Sequence, residues 1–398
     1  MSETRLPSWV RNPRVLSGIV LLLVVAISAQ SAFGGLKKFD TSAIEYTRYN
    51  NYVIFRQSCA HLVAGRDLYQ LYPNEHWDLF KYSPAFALFM APLTILPDFP
   101  GLVLWNLCNA SVLCLALWSL PSLSVSQRVC AIAFVMVELV TSMQSAQSNA
   151  LIAGLIIFTF VHLERKRIAI ATLCIALTVA IKLFGVVAFA LLLLYPGRLR
   201  AAFSAAAWLV LLAVLPLVVV DLTQLGVLYR SWFDMLRHDE SVSYGLSVAG
   251  WLFAWFGREW KLLSLVAGVA LFCAPLTRLS MYRDQRFRAL VLASTLIWVV
   301  IFNHKAESPT FVIAVAGVAI WFAYTQPSRA NIALLTGAFV LTELATTDVF
   351  PRSVRTGYIV PLVLKAVPCI LVWLKVVADQ LTMRPQTDAV EMASRSEH

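Results

Sequence analysis

Charge is what this sequence has least of. Asp, Glu, Lys and Arg make up 14% of its 398 residues, 59% are apolar, and the mean hydropathy is +0.73. Soluble domains carry about 25% charged residues, so a water-soluble globular fold is excluded. The same shortage excludes disorder, which needs polar residues that remain in water. No glycine-rich nucleotide loop is present. Metal-ligand spacing and a disulfide framework are also missing. Cys59 lies outside the apolar runs, whereas Cys108, Cys114, Cys130, Cys174, Cys273 and Cys369 lie inside them. No repeat of fixed period is found. What remains is an all-α polytopic membrane protein, with no cofactor, no metal and no nucleic-acid partner expected. The net charge of +10 then reads as the basic bias of cytoplasmic loops.

The apolar runs predict a topology. Arg5, Arg11 and Arg14 precede an apolar stretch from residue 15, too long for a signal peptide, so the first helix starts from a cytoplasmic N-terminus of residues 1–14. The membrane domain is expected over 15–379 and a disordered cytoplasmic tail over 380–398. Residues 36–83 form a large outer loop rich in aromatics, with amphipathic helices lying on the membrane surface, one of them over 51–64. Residues 84–96 are too short to span and predict a half-inserted helix, followed by a span over 101–120. Between Arg128 and Glu164 lie 35 residues whose one charge is Glu138, and both flanks are basic, Arg128 on one side and Arg165, Lys166 and Arg167 on the other. Like-charged flanks predict a hairpin whose outer tip is Gln144 to Asn149. Residues 168–195 are likewise flanked by basic clusters and contain Lys182 near the midpoint, which predicts two short limbs meeting at that lysine. Beyond them come a span over 201–220, an outer loop over 221–243, a half-helix over 246–256, and further spans over 262–277, 289–302, 310–324, 330–345 and 358–377. The total is about twelve transmembrane or re-entrant helices, with both termini in the cytoplasm and the chain in the inner (plasma) membrane.

Ionisable groups at membrane depth usually mark a site or a pathway. Lys182 is the sharpest, and a lone ammonium there suits either a phosphate or an internal partner such as Glu138 or a helix carbonyl. Glu138 and Glu343 read as structural partners. His304, Lys305 and Glu307 crowd into the short segment NHKAESP, which suits phosphate or sugar binding, general-base work, or an interfacial turn.

The stretch from Asn50 to Asn109 resembles the opening of glycosyltransferase family 87, mannosyltransferases of the GT-C fold that use polyprenyl-phosphate sugars. Gly65, Leu68, Tyr69, Lys81, Tyr82, Ser83, Pro84, Leu96, Pro97, Trp105 and Asn109 carry the resemblance. Gln147 and Asn149 resemble the family's Gly-Gln-x-Asn helix start, Lys182 its Lys-Pro segment, and His304 its late His loop. The likeness is dense to about residue 195 and thin beyond. It implies a GT-C-like membrane enzyme that moves a hexose, mannose or another, from a polyprenyl-phosphate donor in the bilayer to an extracytoplasmic glycan or glycolipid acceptor. Lys182, His304 and Lys305 would hold the donor phosphate. Tyr49, Tyr52, Lys81, Tyr82, Gln147 and Asn149 would contact substrate, and membrane lipids would surround the fold. The family pattern also implies a loop Asp as general base, but the matching residue is Asn51, with Phe55 four on. Asn cannot take that proton, which leaves Asp40, Glu45 and Glu307 beside Asn51 in the catalytic set, or an inactive member. A transporter or flippase of a lipid-linked sugar is the alternative class; it would need broken helices in two matching halves, and no such halves are found.

Overall fold

The computed structural model describes residues 7–39, 42–238 and 244–384. The chain forms two compact units. One comprises Met1–Pro121, Leu139–Val186 and Leu199–Val242, the other Ser122–Glu138, Val187–Arg198 and Ser243–His398. Among the described residues the single sheet is a two-stranded ribbon, Leu36–Lys38 against Glu45–Thr47, antiparallel with Leu36 opposite Thr47. Everything else regular is helical, as an all-α membrane fold requires.

In the first unit the helix Pro13–Phe33 starts where the Asn12 side chain accepts from the Arg14 amide and Pro13 occupies the first turn. It packs on Asp98–Trp118, and Asn106 donates to Ser28 across that contact (3.0 Å). Asp98–Trp118 also packs on Asn149–Glu164, which in turn lies against Ile168–Ile181. The predicted amphipathic helix is present over Asn50–Val63 and turns Tyr52, Phe55, Cys59 and Leu62 inward. Phe55 meets the rings of Tyr82, Phe86 and Trp105 at 4.9, 5.3 and 5.5 Å. The short segment after it is two helices, Pro84–Phe89 and Ala91–Thr94. Ser83 anchors the first by donating to the Ala180 carbonyl (2.6 Å) while its oxygen accepts from the Phe86 amide.

One expected loop is largely a helix. Leu222–His238 is helical and buries Leu225, Leu228, Trp232 and Met235, three and four residues apart, so a single apolar stripe accounts for it. Its charged outer face makes the segment read as loop in sequence.

In the second unit Gln285–Ile301, Phe311–Tyr324 and Val367–Thr382 pack together. Asp284 caps the first through the Arg286 and Phe287 amides, so this helix starts four residues before the span expected over 289–302. The span expected over 358–377 is broken. A π-helical turn, Arg355–Ile359, is followed by non-helical residues up to 366, with Val363 at φ +54°. Pro361 and Pro368 explain the break, because each lacks the N–H that an uninterrupted helix needs. The helix then runs to Thr382, three residues into the expected tail, and 385–398 lie outside the described residues.

By length and composition, three helices among the described residues can cross a membrane: Pro13–Phe33, Asp98–Trp118 and Arg198–Val218, each of 21 residues. Val125–Phe134 and Met136–Gln144 form a further pair bent by 42°. The other apolar helices, such as Asn149–Glu164 and Ile168–Ile181, are shorter, so the predicted dozen includes many partial or broken spans.

Gly101 is required by a close approach. A methyl there would stand 1.9 Å from the hydroxyl oxygen of Tyr52, which is buried without a hydrogen-bond partner among the described residues. Gly101→Ala should therefore destabilise by roughly 1–3 kcal/mol, seen as a lower melting temperature. Tyr52→Phe should be neutral or stabilising, and should restore part of the loss in the double variant.

The segment expected as an outer loop, 36–83, carries two buried histidines. His61 lies 2.9 Å from Glu75 and under the Tyr72 ring, and His76, which follows Glu75 in sequence, is buried too. Burial pulls both imidazoles below their ordinary value, against the opposite pull of Glu75. As pH falls below about 6.5 the unfolded chain binds these protons before the folded one does, so the stability present above that pH is lost on acidification. The melting temperature should drop between about pH 7.5 and 5.5, and drop less in a His61→Gln/His76→Gln variant.

Candidate functional site

The helix Ile168–Ile181 stops at Lys182, whose backbone is extended (φ −143°, ψ 129°), and the 3-10 helix Leu183–Leu194 follows. The predicted two limbs thus do part at this lysine. Gly185 sits so close to Thr178 that a Cβ would lie 2.7 Å from the threonine Cβ, which fixes the turn. A cation just past a helix C-terminus is favoured by the helix dipole. Lys182 Nζ donates to the amide oxygens of Asn149 (2.9 Å) and Gln147 (3.3 Å). It also lies over the rings of Tyr82 and Phe184, at 5.7 and 5.6 Å.

Those amides come from the predicted tip. Met136–Gln144 ends, Ala146 turns with φ +47°, and Asn149 opens the next helix fully buried. Two side chains grip this turn from other helices. Asn51 Nδ2 donates to the Ser145 carbonyl (2.8 Å), and Trp105 Nε1 donates to the Ala146 carbonyl (2.9 Å). The first unit therefore brings Asn51, Tyr82, Gln147, Asn149 and Lys182 into one bonded group. Lys81 pairs with Asp78 (3.1 Å), and its carbonyl receives the Trp232 indole N–H.

The remaining candidates fall elsewhere. Tyr49 and Tyr52 are buried in packing; Tyr49 donates to Asp98, and burial, aided by Asp98, raises its phenol. Tyr52 is wholly buried and its phenol is pushed up to about 12, chiefly by burial, so it offers no ring face to a sugar. Asp98 is also bound by Arg56. Glu45 is exposed at the start of its strand, and Asp40 lies outside the described residues. His304, Lys305 and Glu307 belong to the second unit. There Asn303 caps the loop through the Lys305 amide (2.9 Å), the Leu246 amide donates to the Ala306 carbonyl (2.8 Å), and Glu307 caps the Ser308–Thr310 turn.

Glu138 is engaged by a residue that sequence reading passed over. Lys365 lies 2.7 Å from it, the two side chains 1% and 0% exposed. The signal was available, since Lys365 is a lone cation in an apolar run just as Lys182 is.

Residues 80–302 match glycosyltransferase family 87, and the chain belongs to that family. The match contains Lys81, Tyr82, Gln147, Asn149 and Lys182; Asn51 precedes it, and His304 follows it. Among solved structures, the chain is similar to ArnT from Cupriavidus metallidurans bound to undecaprenyl phosphate, with 13% identity over 92% of this chain and 77% of that one and a TM-score of 0.42. That likeness is too loose to bear on the site. No curated protein matches the chain. By family, then, this is a membrane glycosyltransferase.

Asn51 fits its partner because it donates. An ionised aspartate has no proton to offer the Ser145 carbonyl. Asn51→Asp should therefore loosen the turn at a cost of about 0.5–1.5 kcal/mol. Amide exchange across residues 145–149 should rise, and unchanged exchange would refute the clamp.

Proposed function

We propose that the protein transfers a hexose, mannose being the family's expectation, from a polyprenyl-phosphate donor to a glycan or glycolipid acceptor on the extracytoplasmic side of the inner membrane. The observation that carries this reading is the Lys182 ammonium, set at a helix break and oriented by Gln147 and Asn149. Amide oxygens are neutral acceptors, and the monoanionic phosphodiester of such a donor competes well with them for the ammonium protons. A donor of this kind arrives within the bilayer, which suits a chain with no soluble nucleotide-binding domain.

In the step itself the acceptor oxygen attacks the anomeric carbon, and the bond from that carbon to the phosphate oxygen breaks. The electron pair leaves with the polyprenyl phosphate, and Lys182, His304 and Lys305 are the candidate cations for its charge. The acceptor's hydroxyl proton passes to a carboxylate, for which Asp40, Glu45 and Glu307 are the candidates. Asn51 serves instead as the clamp of the Gln147 turn. Lys81, Tyr82, Gln147 and Asn149 line the donor's approach, while Tyr49 and Tyr52 act through packing. The expected orientation keeps both termini in the cytoplasm.

The test is transfer by the purified full-length protein in liposomes supplied with polyprenyl-phosphate mannose or glucose and a glycolipid acceptor. Lys182→Ala should lower the rate by about 100-fold or more with the melting temperature unchanged. Full activity in that variant would remove the phosphate role. Wild-type protein that binds the donor but neither transfers nor hydrolyses it would favour an inactive member or a lipid-sugar flippase.

A further inference from the structure

The second unit holds a buried charge cluster that the proposed chemistry does not use. Lys365 sits in the non-helical stretch before Val367–Thr382 and is 1% exposed. Its ammonium donates to Glu138 (2.7 Å), to the Ser308 hydroxyl (2.6 Å) and to the Thr346 hydroxyl (3.2 Å), and lies 5.3 Å from the centre of the Phe311 ring. An ammonium has three protons, so these bonds use all of them. Glu343 is also fully buried.

A buried ion pair is weak evidence of stabilisation, because apolar residues of similar size usually serve as well. Holding helices together would need no more than the bond to Glu138. The bond to Ser308 reaches further. Ser308 is the last residue but one of the NHKAESP segment and opens the Ser308–Thr310 turn that Glu307 caps. At the other end of the same segment, the His304 carbonyl is packed so tightly on Gly245 that a Cβ there would lie 2.5 Å from it. The segment is thus held at its start by backbone packing and at its end by a buried ammonium.

We propose that Lys365, braced by Glu138, is a positioning residue that sets the NHKAESP loop for donor-phosphate binding. The proposal rests on the reading that His304 and Lys305 contact that phosphate. Lys365 itself touches no substrate. It fixes Ser308, and through Ser308 the loop.

Three variants test it. Ser308→Ala leaves the ion pair intact and removes the tether. Lys365→Met/Glu138→Gln removes both charges together, so that neither is left buried and unpaired. Thr346→Ala removes the third bond without touching the loop. Two quantities are measured on the full-length protein: amide exchange over residues 303–308, and affinity for polyprenyl phosphate in detergent micelles, with inorganic phosphate as a parallel probe. Ser308→Ala and the double variant should each raise loop exchange and weaken polyprenyl-phosphate binding by about tenfold, with the melting temperature of Ser308→Ala unchanged. Thr346→Ala should behave as wild type in both. Wild-type exchange and affinity in Ser308→Ala and the double variant would overturn the proposal, as would faster exchange with undiminished affinity. Wild-type protein that binds neither probe would overturn the donor reading instead, and the exchange measurement would still decide the tether.

Discussion

A charge placed where water is absent must find its partners within the protein, and this constraint organises the molecule. Fourteen per cent charge spread over a chain this apolar leaves few ions at depth, and each one dictates local structure. Lys182 and Lys365 illustrate two solutions. Both stand where a helix is interrupted, and the interruptions have different causes: tight packing of Gly185 on Thr178 in one case, two prolines around the lysine in the other. A broken helix supplies what a continuous one cannot, namely a long side chain leaving the backbone at an angle set by neighbours rather than by the helical screw.

The two lysines differ in the company they keep. Lys365 meets a carboxylate and two hydroxyls, and its three protons are all engaged. Replacing that carboxylate with an incoming anion would leave Glu138 buried without its cation, which costs several kcal/mol. Lys182 meets two amide oxygens and two ring faces. An amide that gives up a proton donor stays neutral, so exchanging these two bonds for bonds to a phosphate oxygen leaves no buried charge at Gln147 or Asn149.

Sequence alone reached the fold class, the Asn50–Val63 helix, the break at Lys182 and the polar tip that holds it. Each of these has a local signature: apolar periodicity, a lone cation midway between basic flanks, or a polar patch interrupting an apolar run. What escaped depends on pairing across the chain. Glu138 and Lys365 are 227 residues apart, and nothing in either run names the other. The Leu222–His238 helix escaped for a different reason. Its inward stripe is one residue in three or four, and the charged face between those positions dominates the composition.

Asn51 shows why a motif position must be read through its contacts. By analogy with the family it stands where a proton acceptor is expected, and as an amide it cannot serve. In the structure it donates to the Ser145 carbonyl, two residues before Gln147, while Trp105 secures the carbonyl of Ala146. A carbonyl asks its partner for a proton, so the site as built calls for a donor at 51. The amide and the turn form one consistent arrangement, in which position 51 governs the placement of Gln147 and, through it, of the Lys182 ammonium. Loss of a base at this position need not mean loss of the site, because the group that orients the cation has been kept and the proton can be taken by a carboxylate elsewhere.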